Sequence, residues 1–205
     1  MNRYSLTPIL IFLLSFTFAQ KSSNDFLILS YDTNFYDNYC YLNKKGDTVI
    51  PSGKYMMCYT DTFYTTALVY SNSEGLIMIN RNEDLLVHVF PYDNGPDYPS
   101  EGLLRIIENN LIGYADMDGN IVIKPSFECA FPFYEGFASF CTGGILVNDG
   151  EHSWWKNAKW GAINKKGNVI IKPVYDTYFE FHDGKAIVET NNEVYEIDTL
   201  GNLLK

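Results

Sequence analysis

Basic runs, helical periodicity and long apolar spans are what this sequence is short of. Its 15 Lys and Arg stand against 25 Asp and Glu, a net charge of −10 with no basic cluster. Such a chain repels phosphate backbones, which excludes a nucleic-acid partner. No stretch beyond the N-terminal segment repeats apolar residues at i, i+3, i+4 and i+7 over the length a stable helix needs. Cysteine is sparse: Cys40, Cys58, Cys129 and Cys141 form no C-x-x-C pair, so neither a dithiol redox motif nor a zinc ribbon is indicated. The three histidines, His88, His152 and His182, are far apart and complete no H-E-x-x-H set. A G-x-S-x-G nucleophile elbow is missing too. These absences predict a protein with no cofactor, no metal and no catalytic residues.

Aromatic and β-branched residues are plentiful. Sixteen Tyr and 14 Phe contribute to an aromatic share of 16%, a composition that suits pleated, half-buried surfaces. The N-terminus reads as an export leader. Met1-Asn2-Arg3 supplies a positive start, Ile9 to Phe18 is an apolar stretch too short to span a bilayer, and Thr17-Phe18-Ala19 sets small residues at the −3 and −1 positions. Cleavage between Ala19 and Gln20 is expected. It would leave no transmembrane span and a secreted or periplasmic protein, with 20–38 as a lead-in to a repeat domain over 39–205.

Self-comparison carries the most information. The segment Trp160-Gly161-Ala162-Ile163-Asn164-Lys165-Lys166-Gly167-Asn168-Val169-Ile170-Ile171-Lys172-Pro173 aligns position for position with the segment from Ile112-Gly113 through Gly119 to Pro125. Further copies start at Tyr39, Leu76 and Val194, so about five lie near 39–70, 76–108, 112–140, 160–188 and 194–205. Their turn positions recur every ~34–48 residues, within the ~20–50 range of repeat arrays. The longest interval holds an insertion at 141–158. In each copy an apolar strand enters a tight turn whose glycine accepts positive φ, and a β-branched strand follows. Pro125 and Pro173 are expected to stop that second strand. A third strand then reaches the next copy through a hairpin such as Asn191-Asn192. The copy at Leu76 has Glu83 where the glycine should be, and Asn82 is expected to take the left-handed position. The prediction is an all-β chain of three-stranded antiparallel meanders sharing cores, stacked as an open array or a rolled barrel. Propeller blades of four strands fit the count less well.

The pattern W-G-x-I-N-K-K-G-N-V-I-I-K-P-x-Y-D followed by F-x-x-G-x-A resembles the WG repeat. Residues 160–188 match it closely and 112–140 well, whereas Ile112-Gly113, Tyr39-Cys40 and Val194-Tyr195 replace the name-giving pair elsewhere. The resemblance implies a bacterial, repeat-built β protein, often exported, with no catalytic residues to carry over.

Function is then expected in the departures from the repeat. Trp154 and Trp155 in the insertion could form a stacking platform for a sugar or an anchor for a protein, or fold back to cap the core. Pro91 to Gly102 reads as an ordered chain of turns. Asp116-Met117-Asp118-Gly119-Asn120 looks like the start of a calcium loop, but lysines fill the same slot in other copies, so it reads as a turn. Cys129 and Cys141 flank one hairpin, and Cys40 and Cys58 stand in a comparable relation, so two bridges are conceivable. The expected role is a loop-presenting surface for a protein or an envelope glycan. The alternative is a hydrolase of envelope material with a polar site spread over loops.

Overall fold

A computed structural model describes residues 25–31, 39–150 and 152–204. The expected leader and its Ala19–Gln20 junction lie outside the described residues. Within them the chain is all β, and no helix is long and apolar enough to cross a membrane.

Five consecutive antiparallel sheets carry the repeat. Copy one pairs Leu27–Tyr31, Tyr39–Leu42 and Thr48–Ile50, and copy two Thr66–Ser71, Gly75–Asn80 and Leu85–His88. Copy three pairs Leu103–Glu108, Leu111–Asp116 and Ile121–Phe127, and copy four Phe137–Thr142, Lys159–Asn164 and Val169–Tyr175. Copy five pairs Lys185–Thr190 with Glu193–Asp198, and Leu203 bridges to Ile197. Copy one therefore starts at Leu27, inside the segment read as a lead-in. Three sheets gain a fourth, two-residue strand at one edge: Thr62–Phe63, Met57–Cys58 and Cys129–Ala130. In those three sheets the meander is three longer strands plus a short one.

Sheet and sequence unit are offset. The third strand of one sequence repeat, Phe137–Thr142, pairs with Lys159–Asn164 of the next repeat. Each repeat therefore supplies two strands to one sheet and one to its successor, so no copy can detach without breaking ladder hydrogen bonds.

The turns explain why the copies fold alike. Asn43, Asn80, Asp116, Asn164 and Asp198 each use a side-chain oxygen to accept two backbone N–H groups, from the residues two and four positions on. This is Asx-turn chemistry, which Asn and Asp perform best. The residue three positions on has positive φ, as in Gly119 (84°) and Gly167 (79°). In copy two Glu83, at 64°, holds that place, and not Asn82. Asn191 and Asn192 are both left-handed, as a two-residue hairpin turn demands.

Neither proline stops its strand. Ile121–Phe127 runs through Pro125 and Val169–Tyr175 through Pro173, each at a break in register where no ladder N–H is needed.

Four apolar cores lie between successive sheets. Tyr41 and Ile50 of copy one meet Val69 and Ile77 of copy two. On the opposite face of copy two, Leu68 and Met78 meet Leu104 and Ala115 of copy three. Tyr114 and Ile123 meet Phe133 and Ile163, and Trp160 and Ile171 meet Phe181 and Val188. Inner sheets are buried on both faces, so the modules stack and share cores as the repeat predicts. The stack is open: among the described residues no pairing joins the first sheet to the last.

Candidate functional site

The insertion forms a hairpin, Ile145–Asn148 paired with Ser153–Lys156, standing off the fourth sheet. The pleat separates the two tryptophans. Trp155 shares a face with Leu146 and packs against the core between copies four and five. Trp154 lies opposite Val147 on the other face, 46% exposed, with Ile145 beside it at 67%. The capping role therefore falls to Trp155 and the exposed role to Trp154. A two-ring platform does not form, because neighbouring residues of a strand point to opposite sides.

A groove of about 590 Å³ lies over the outer face of copy five, lined by Tyr178, Glu180, His182, Asp183, Ile187 and Glu196 among others. It escaped the reading of the sequence. Its signal was the alternation in Lys185–Thr190, where Ala186 and Val188 turn inward and Ile187 is left facing out. Most polar groups here hold one another. The Tyr178 hydroxyl donates to Glu180, His182 lies 3.8 Å from the same carboxylate, and Lys185 lies 3.6 Å from Glu196. Burial, followed by the Glu180 hydrogen bond, pushes the Tyr178 pKa upward.

Other chemistry-bearing residues serve the fold. Asp116 is held below the usual carboxylate range, first by the Asn120 side chain and then by backbone N–H groups. His88 sits beside Glu74, and the His152 N–H donates to Asp149 in the hairpin turn. Among the described residues no group of three or more His, Cys, Asp or Glu side chains is placed to hold a metal.

All four thiols are free. Cys129 and Cys141 are direct cross-strand partners, both buried, and their mutual hydrogen bond together with burial raises the Cys141 pKa. Cys40 and Cys58 are not in the same relation. Cys40 pairs with Ser30 in the first sheet, whereas Cys58 pairs with Val69 in the second. The Cys58 pKa is pushed to about 11, mainly by burial.

A buried ion pair anchors the segment between copies two and three. Arg105 grips Asp97 through Nε at 2.7 Å and Nη2 at 2.8 Å, donates to the Ala130 carbonyl, and lies over the Phe90 ring at 4.2 Å. Its signal in the sequence was a single charge inside the apolar strand Leu103–Glu108.

The family described as the WG containing repeat matches residues 112–144 and 160–193. No curated protein matches the chain.

Proposed function

We propose that this chain, a WG-repeat protein by its two matched copies, is an exported, non-enzymatic scaffold that binds another protein through the hairpin over 145–156. The observation that carries this reading is the exposed apolar face of that hairpin, Ile145 and Trp154, on the side away from the Trp155 that packs against the core. A repeat array gives a rigid base, and insertions at one edge become its contact points. Aliphatic side chains around a single exposed indole favour a protein surface over a sugar, which gains most from a flat ring framed by polar groups. The Met1–Ala19 leader supports export, to a secreted or periplasmic location.

The test is a photo-crosslinking side chain at position 154 in the native envelope, paired with Trp154→Ala in a pull-down. A protein partner crosslinked at 154 and lost in Trp154→Ala, with an unchanged melting temperature, is expected. A partner set that survives the substitution rules the hairpin out as the contact. Retention on isolated envelope glycan in place of protein would reassign the partner class.

A further inference from the structure

Each copy grips the next through recurring contacts, and among the described residues copies one and five carry unmatched halves of that grip. The first contact is an acid that accepts backbone N–H groups from the following copy. Glu101 takes the Gly136 N–H at 3.1 and 3.2 Å, and Glu135 takes those of Asp183 at 2.9 Å and Gly184 at 3.2 Å. The second is a basic turn residue reaching back to the acid of the preceding copy: Arg81 to Asp25 at 3.3 Å and Lys165 to Glu101 at 2.8 Å. The third is a turn residue laid on the preceding copy's strand, Gly119 on Leu86, Gly167 on Ile123 and Gly201 on Ile171.

Copy five presents the acid with no described copy beyond it. Asp183 stands where Glu101 and Glu135 stand and accepts from no described N–H. Around it the outer face shows Ile187 at 61% and Val194 at 65% exposure. Copy one presents the other half. Lys44 stands where Arg81 and Lys165 stand and meets no carboxylate among the described residues, resting over the Phe26 ring at 4.4 Å. Gly46 has nothing within 4 Å where the other turn glycines meet a preceding copy. Ile28 and Leu42 form a cross-strand pair on the face of this sheet turned away from copy two.

We propose that the outer face of copy five binds the outer face of copy one of a second molecule of this chain, continuing the stack head to tail. The acidic Asp183 face and the basic Lys44 turn are complementary in charge, and each reproduces one side of an interface that the chain already makes within itself. Ile187 and Val194, on one face of copy five, and the Ile28–Leu42 pair of copy one supply the apolar area to be buried. Two different surfaces meet, so the association is heterologous and does not saturate at a dimer unless the rotation closes a ring. The Lys44–Asp183 contribution weakens as salt rises.

Sedimentation velocity of the purified chain over a concentration series tests this, at low and high salt. Species beyond the dimer growing with concentration and reduced by salt are expected. Ile187→Glu should abolish them, and Asp183→Lys and Lys44→Glu should each weaken them. Mixing the last two variants should restore assembly, because each swapped charge then meets its complement. Circular dichroism melts of every variant confirm that the fold is retained. A monomer at all concentrations, a species that stops at the dimer and ignores Lys44→Glu, or assembly indifferent to Ile187→Glu would each overturn the proposal. The insertion hairpin is untouched by these variants, so a failure here leaves the hairpin reading standing.

Discussion

Gly161 and Pro173 face one another across adjacent strands so closely that a Cβ added to the glycine would lie 2.8 Å from the proline nitrogen. Gly113 stands in the same relation to Pro125, at 2.5 Å. The register shifts at the proline, the backbone of that strand lies over the glycine, and only a residue without a side chain fits there. Neither glycine has positive φ, so the demand is purely for space. Gly161→Ala is expected to destabilise the protein by about 1–3 kcal/mol or more, as overpacking does. Trp160→Phe keeps an apolar ring in the pocket beside Tyr178 and should cost less. Urea unfolding midpoints of the two variants check the order.

The Arg105–Asp97 pair is almost wholly removed from water. Removing one partner strands a buried charge, a loss of roughly 3–5 kcal/mol. Arg105→Met and Asp97→Leu singly should each lower the denaturation midpoint strongly. The double variant should recover part of the loss, since the pair's own desolvation cost disappears with it. A double-mutant cycle in urea measures the coupling.

How much of this was legible can be read from particular residues. The copies align in the sequence because their turns rest on local chemistry: Asn164 and Asp116 bond their own backbone wherever they are placed. Stacking followed too, since Ile77 and Met78 alternate yet are both apolar, the mark of a sheet buried on both faces. Pairing between repeats was not legible. That Phe137–Thr142 belongs to the next sheet depends on long-range register, as does the path of a strand through Pro173. The outward side of Trp154 depends on hairpin register as well, and the copy-five groove on which sheet is left uncovered.

Acid sensitivity should trace to the turns and the inter-copy acids. The hydrogen bond from Asn120 holds the Asp116 pKa down, and that from Asn202 does the same for Asp198. Lys165 lowers Glu101, and the N–H groups of Asp183 and Gly184 lower Glu135. The folded state holds these protons less tightly than the unfolded chain. Their stabilisation is therefore complete above the ordinary carboxylate range, near pH ~4, and is lost as the pH falls through the depressed values. Asp116→Asn copies the turn of copy four, so it should fold normally and show a smaller fall in melting temperature between about pH 5 and about pH 3. Thermal melts across that range decide it.

Cys129 and Cys141 are direct cross-strand partners, and antiparallel partners lie at Cα separations of ~4.5–5.5 Å, inside the range a disulfide spans. Cys40 and Cys58 belong to different sheets and share no such register. Mild oxidation should therefore remove two thiols, not four, and peptide mapping should recover a single 129–141 crosslink. The reaction should be slow in the native state, because both sulfurs are buried and the raised Cys141 pKa keeps little thiolate available. Partial denaturation should accelerate it. A 40–58 crosslink forming first would overturn the preference for the 129–141 pair.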